Sequence, residues 1–309
     1  MTPSRAFAIT SRLSASTALL MFVLIVVGSI VRTTGSGLAC PDWPLCNGQL
    51  IPPFQFNVFI EWLHRLLALL VSLGLMATVG SIAAHSELRA RVGGIALLAV
   101  ALLAVQILLG ALTVWKLLDP SVVSGHLAVA LLLFASVITI AVVSHLESRA
   151  PVTSLPRPAG LLPLLGFTTL ALWFQSVLGG IVSTNHASLV CPDWPTCGGV
   201  WFPALEGLVG VHMLHRYVAY GVTVLMCFVA ARLWRAPDPT VRMLGHALLI
   251  LTIKQVALGI CSLLLGVPVF LSAIHLANAA ALIALSLIAT LRVAALSAPS
   301  PALANAPAR

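Results

Sequence analysis

Apolar positions along the chain fall into eight long, unbroken blocks rather than into an alternating pattern. They cover residues 14–33, 59–84, 92–116, 121–145, 160–183, 208–232, 241–266 and 269–293. Each is about 20 residues or longer, the length a helix needs to cross roughly 30 Å of hydrocarbon. A membrane β-barrel would instead show short segments with every second residue polar. Within a bilayer only helices and closed barrels satisfy their own backbone hydrogen bonds. The pattern therefore predicts an all-α integral membrane protein of eight transmembrane helices. Turn-forming residues collect between the blocks, as in "TTGSGLACPDWPLCNGQLIPP" (33–53) and "RAPVTSLPRP" (149–158).

Composition agrees: 60% of the 309 residues are hydrophobic and 8% charged, too little charge to cover a water-facing surface. The net charge of +8 does not indicate nucleic acid, because its placement has another cause. Arg5 and Arg12, Arg89 and Arg91, Arg149 and Arg157, Arg232, Arg235 and Arg242, then Arg292 and Arg309 fall at the two ends and in alternate loops. The other loops hold little beyond Arg32 and Lys116. This is the positive-inside asymmetry, and it predicts a multi-pass protein with both termini cytoplasmic. The first block followed by Cys40 could pass for a cleaved, lipid-modified leader. The matching Cys191 sits mid-chain, where no such cleavage operates, so 14–33 is expected to stay as a helix.

The chain repeats itself. "VVGSIVRTTGSGLACPDWP" (26–44) aligns with "VLGGIVSTNHASLVCPDWP" (177–195), and "EWLHR" (61–65) with "HMLHR" (212–216), both offset by 151 residues. "QILLGA" (106–111) aligns with "QVALGI" (255–260), and "GHLAVA" (125–130) with "IHLANA" (274–279), offset by 149. Matches on Cys, Trp, His, Arg and Gln are not what leucine-rich helices share by chance. The expected organisation is two tandem, parallel-repeated four-helix bundles, residues 1–148 and 160–309, joined by a cytoplasmic linker at 149–159. An even number of helices per unit gives both the same orientation.

Ionisable side chains inside membrane helices are functional candidates by default. His64, His126, His215 and His275 lie on the second, fourth, sixth and eighth helices, each near the outer end. Two per unit at one depth is the arrangement for gripping a haem iron from both sides; zinc would want four ligands in one tight cluster. Glu61 precedes His64 by three positions and shares its helix face. It is placed either at the edge of a bound porphyrin or in an ion pair with Arg65. The second unit carries His212 in its place, which breaks the symmetry of the two pockets. Arg65 and Arg216 each follow a ligand histidine and are candidates for contact with haem propionates. Lys254 has no counterpart in the first unit, and His85, His145, His186 and His246 are assigned no role.

Cys40 and Cys46, and again Cys191 and Cys197, sit six residues apart in Pro-containing loops on the outer, oxidising side. Two intra-loop disulfides are expected there; a four-thiolate metal site joining the loops is the weaker alternative. Cys227 and Cys261 lie alone within helices and are expected to be packing residues.

Taken together, "GSGLACPDWP", "EWLHR", "CPDWPTC", "HMLHR", "GHLAVA" and "IHLANA" resemble the haem A synthases over nearly the whole chain, in the cysteine-bearing bacterial branch. The resemblance implies oxidation of a methyl substituent of haem O to a formyl group, giving haem A for terminal oxidases. It implies that His64 and His126 ligate the substrate haem, that His215 and His275 ligate a haem b cofactor, and that Glu61 is the catalytic acidic residue. The expected partners are haem O, a haem O synthase, an electron donor or acceptor, and lipid, with a homo-oligomer compatible. Two rival functions account for part of the pattern: a two-haem cytochrome that only relays electrons, and a membrane thiol oxidoreductase using the outer cysteines.

Overall fold

Each apolar block becomes one helix, and the polar segments between them become the turns. The computed structural model describes residues 2–149 and 155–297. Its helices are α1 (Pro3–Thr33), α2 (Phe56–Ala83), α3 (Ser86–Trp115), α4 (Pro120–Glu147), α5 (Leu161–Thr184), α6 (Gly207–Trp234), α7 (Pro239–Leu264) and α8 (Val269–Ala294). All eight are long and apolar enough to cross a membrane; the shortest, with 24 residues, spans about 36 Å at the helical rise. No named strand occurs among the described residues.

The largest departure from expectation is α1, which starts at Pro3 rather than near residue 14. The extra turns hold together because Ala6, Phe7, Thr10 and Ser11 are buried. The Ser11 hydroxyl donates to the Ala141 carbonyl at 3.0 Å, and Thr10 meets Ser81 at 2.8 Å. A helix end rich in Ser, Thr and Arg is hard to distinguish from a polar tail by hydropathy, yet it packs along α2 and α4. Elsewhere the starts follow known local chemistry. Pro stands at the first turn of α1, α4 and α7, where its missing N–H is not needed. Asp119 and Asp238 cap α4 and α7 through the backbone N–H groups of Ser121 and Thr240, as N-cap carboxylates do.

Within each unit consecutive helices are neighbours and the last packs back on the first, α1 on α4 and α5 on α8. The carriers of the paired histidines, α2 and α4, then α6 and α8, stand diagonally across their rings. The units join through α1, α4, α5 and α8. Lipid supplies no hydrophobic driving force between helices, so small and hydroxyl residues make the joints. Ser124 meets Thr184 at 2.8 Å between α4 and α5, and Thr169 meets Ser286 at 2.8 Å between α5 and α8. Gly74 of α2 lies so close to Thr17 of α1 that a Cβ there would stand 2.7 Å from its hydroxyl.

At the other ends of the helices, Arg91 of α3 pairs with Glu147 of α4 at 2.6 Å. Arg292 of α8 pairs with the buried Asp238 before α7 at 2.8 Å. Described parts of the expected linker are tied to the end of α8: Arg157 N–H donates to Ser297 O at 2.8 Å and Ser297 N–H to Leu155 O at 3.1 Å. Residues 150–154 of that linker, and the C-terminal stretch 298–309 with Arg309, lie outside the described residues.

Candidate functional site

The four helix histidines come to lie in four copies of one arrangement. Each is packed against a glycine on the preceding helix: His64 on Gly28, His126 on Gly110, His215 on Gly179, His275 on Gly259. A Cβ on those glycines would stand 3.1, 3.3, 3.0 and 3.1 Å from the respective Cε1 atoms. Helical glycine is unfavourable by about 1 kcal/mol relative to alanine, and here it makes room for an imidazole. The same four pairs are visible in the aligned segments "VVGSIV"/"VLGGIV" and "QILLGA"/"QVALGI", so the signal was present although the glycines' purpose was not.

All four histidines line one cavity of about 1520 Å³, walled by residues of all eight helices. That exceeds the roughly 300–1,000 Å³ of an ordinary small-ligand pocket. Two separate pockets, one per unit, were expected. The structure instead gives one continuous space whose lining runs from one unit to the other and includes Arg32, Leu127, Gly180 and Ser183. Arg32 bridges the units directly, donating to the Ser183 carbonyl at 3.3 Å; Ser183 is its own counterpart in the repeat.

Glutamines and an asparagine add hydrogen bonds that sequence reasoning did not assign. Gln106 Nε2 stands 3.2 Å from His126 Nε2 and Gln255 Nε2 3.3 Å from His275 Nε2. Gln175 Nε2 is 3.0 Å from His215 Nδ1 and donates to the His215 carbonyl at 3.0 Å. Buried Nδ1 atoms of His64, His126 and His275 have no partner. Unsatisfied ring nitrogens, glycine cradles and a large, mostly apolar cavity with cationic residues on its wall fit an axially ligated haem. Among the described residues no group of three or more His, Cys, Asp or Glu is placed to hold a bare metal ion.

The wall of the cavity at one end of the helices is built by the repeated loops. Cys40 is disulfide-bonded to Cys46 and Cys191 to Cys197, so each pair closes within its own loop. Asp42 accepts from the N–H groups of Asn47 (2.6 Å) and Gly48 (2.8 Å). Asp193 accepts from the Thr196 hydroxyl and the N–H groups of Gly198 and Gly199. These contacts hold both carboxyls below the usual aspartate range, Asp42 chiefly through Gly48 N–H and Asp193 chiefly through the Thr196 hydroxyl. The invariant element of "CPDWP" in both copies is thus a carboxylate that folds the turn around itself.

Arg65 and Arg216 fasten these loops to the helices. Arg65 donates to the carbonyls of Asp42 (2.6 Å), Leu45 (2.5 Å) and Cys40 (2.8 Å) and to Glu61 Oε1 (2.6 Å). Arg216 donates to Thr196 O (2.8 Å), Cys191 O (2.6 Å) and His212 Nε2 (2.8 Å). Most of the donors expected to meet propionates are therefore used on backbone carbonyls, because each arginine lies one residue round the helix from its histidine and points toward the loop. Both side chains still line the cavity. Glu61 is in the ion pair with Arg65, accepts Cys40 N–H at 2.7 Å through Oε2, and lines the cavity as well. It is 4% exposed, so both of its oxygens are engaged where almost no solvent reaches.

His212 takes the Glu61 position with different chemistry. Its Nδ1 lies 2.7 Å from Ala187 O and so carries the proton, leaving Nε2 to accept from Arg216. The first clamp is a neutral carboxylate–arginine pair and the second keeps a net positive charge. Among residues assigned no role, His186 also lines the cavity. His85 and His246 bond carbonyls one turn back, and Lys254 is exposed on α7. Cys227 and Cys261 are not packing residues: both are free and exposed, on faces of α6 and α7 that turn away from the core.

A family model described as "Cytochrome oxidase assembly protein" matches residues 11–57 and 53–287. A protein named Heme A synthase from Halalkalibacterium halodurans is 32% identical over 276 residues, covering 82% of this chain and 87% of its own length. Proteins of the same name from Alkalihalophilus pseudofirmus and Brucella ovis are each 28% identical. They cover 72% and 82% of this chain and 74% and 83% of their own lengths. With the match running through both repeats and every residue of the histidine cavity, the chain belongs to the cytochrome oxidase assembly protein family.

Proposed function

We propose that the chain is a haem A synthase, an oxidoreductase that converts a methyl substituent of haem O into a formyl group. The observation that carries the proposal is the fourfold glycine–histidine arrangement around one cavity. An electron-relay cytochrome would need the histidines, but not a buried carboxylate in one half replaced by histidine in the other. The thiol alternative is weakened because the outer cysteines are bonded within separate loops.

In the proposed assignment the first unit (residues 1–148) holds haem O between His64 and His126, and the second (160–309) holds haem b between His215 and His275. The substrate arrives laterally from the lipid. Leu69 of α2 and Ile107 of α3 support this route, since both line the cavity while 55% and 44% exposed. Bound haem b supplies an iron that exchanges single electrons.

The chain's own residues do the rest. Arg65 and the disulfide loop fix Glu61 as a carboxylate at the outer cavity wall, a preorganised negative charge for a carbon that becomes electron-poor as it is oxidised. Paired with Arg65, the carboxylate acts as the negative end of a fixed dipole, and such a dipole needs no reorganisation as the carbon is oxidised. Overall the methyl group and one water become the formyl group, four protons and four electrons, through a hydroxymethyl stage and a geminal diol that loses water, and the electrons pass to the redox partner. Remaining N–H groups of Arg65 and Arg216 and their charges face outward-directed propionates. The arginine distribution supports cytoplasmic termini, and the proposed activity places the chain in the bacterial inner membrane. A haem O synthase as supplier and a redox partner complete the setting.

The test is to express the chain with a source of haem O, extract the pigments and separate them by chromatography and mass. Haem A or its hydroxymethyl precursor is expected. Unaltered haem O under turnover conditions would refute the proposal.

A further inference from the structure

The two pairs of histidines are not held equally, and the difference traces to two positions where the repeat is broken. In the second unit Gln175 grips His215 at both Nδ1 and its backbone carbonyl, each at 3.0 Å. Its counterpart in the first unit is Leu24, which lines the cavity and offers no polar atom. The His64 side chain accordingly forms no hydrogen bond among the described residues, and its Nδ1 is buried without a partner.

The second break follows the same direction. Asn278 donates to Gln255 Oε1 at 2.7 Å and to Leu251 O at 2.9 Å, fixing the amide that faces His275. The first unit has Val129 at that place, and Gln106 Oε1 is buried and unpartnered. At both ligand positions the second unit has an additional polar residue that the first lacks.

Histidine ligands almost always give their second ring N–H to an acceptor, which orients the ring and strengthens it as a donor to the metal. If His64 binds iron through Nε2, its Nδ1–H has no acceptor, and a buried donor without one carries the full desolvation penalty. Nδ1 of His126 and of His275 is unpartnered too, but each of those rings meets a glutamine amide at Nε2. Among the described residues His64 is the one of the four whose ring has no polar contact, and His215 the one with a polar neighbour at Nδ1. A half-turn of the Gln175 amide, giving up its bond to the His215 carbonyl, would present Oε1, which has no partner in this structure, to the same proton.

We propose that His64 is the releasable axial ligand, that Leu24 makes it so, and that Gln175 is the positioning residue that keeps His215 bound. The assignment deepens the proposed function, since it names which unit exchanges its haem and opens an iron position: the first. It also supplies a resting six-coordinate site with a route to a five-coordinate one without moving a helix.

The probe is carbon monoxide, which binds ferrous haem only where an axial ligand leaves. Purified protein loaded with haem in both units is reduced and mixed with the gas, and the rate and extent are followed optically. Expected for the native chain is one reactive haem and one inert haem. Leu24→Gln should slow the reaction at least about fivefold, as one recovered buried hydrogen bond implies, at unchanged haem content. Gln175→Leu should make the second haem reactive. Leu24→Met, similar in size but without an amide, should behave as the native chain.

Equal slowing by Leu24→Met would show a packing effect and overturn the assignment. So would an unchanged rate in Leu24→Gln together with an inert second haem in Gln175→Leu. Pigment analysis of the same preparations reads the proposed function separately: expected gas kinetics without any haem A would refute the function and leave the ligand assignment standing.

Discussion

Replacing Gly179 by alanine separates helix stability from ligand geometry. The new Cβ would lie 3.0 Å from His215 Cε1 and 3.6 and 3.7 Å from its two nitrogens. Carbon atoms pack best at about 3.5–4.0 Å, so the ring must retreat by roughly 0.5 Å, a distance beyond the ±0.2 Å tolerance of metal–ligand bonds. It cannot retreat freely, because Gln175 holds both Nδ1 and the backbone carbonyl. Pushing the side chain off its rotamer costs about 0.5–1.5 kcal/mol. Alanine returns about 1 kcal/mol of helix propensity, so the two terms nearly cancel in the folding free energy. The expected result is a thermal midpoint within a few degrees of the native chain, together with a changed Soret and α-band spectrum or reduced haem retention. Gly80→Ala is the control: nothing lies within 4 Å of its Cβ position, so it should leave the spectrum untouched. A native spectrum with full haem content in Gly179→Ala would refute the proposed seating of His215 as an iron ligand.

Glu61→Gln keeps the shape of the clamp but removes the charge; haem should remain bound while haem A formation falls by at least about a hundredfold, the loss typical of a preorganised electrostatic group, and near-native product yield would remove Glu61 from the chemistry. Arg65→Lys cannot span four acceptors with one ammonium, leaving buried carbonyls unpaired at about 1–3 kcal/mol each; the Cys40–Cys46 loop should become cleavable by protease and its disulfide reducible, and a loop as resistant as before would contradict the clamp. Because Asp42 and Asp193 have carboxyls held below the ordinary value near 4, their hold on the loops is complete above that value and is lost as pH falls through the depressed one; amide exchange at Asn47, Gly48, Gly198 and Gly199 should stay protected at pH 5 and rise only well below pH 4, and loss of protection near pH 5 would show the carboxylates are not the fasteners. His275→Met should shift the spectrum and potential of the haem in the second unit, and an unchanged spectrum would move that ligand elsewhere.

Much of this molecule is determined by composition and spacing alone. Eight apolar blocks of bilayer length leave a chain no folded option but helices, and the offsets of 151 and 149 residues place His64 with His215 and His126 with His275 at equal heights. Cysteines six apart within one short loop leave little choice of partner. What the linear pattern does not contain is direction around each helix. Arg65 lies beside His64 in sequence, yet it turns to the loop carbonyls of Cys40, Asp42 and Leu45, because a one-residue step rotates a side chain by about 100°. The polar, arginine-bearing start of α1 falls outside the first apolar block because hydropathy does not register its contacts with Ala141 and Ser81. Cys227 and Cys261 face away from the core for the same reason: outside and inside of a membrane bundle are both apolar, and periodicity cannot tell them apart. The merging of two pockets into one cavity, and the unequal support of His64 and His215, depend on which residues meet across helices far apart in sequence. Only the assembled bundle decides that.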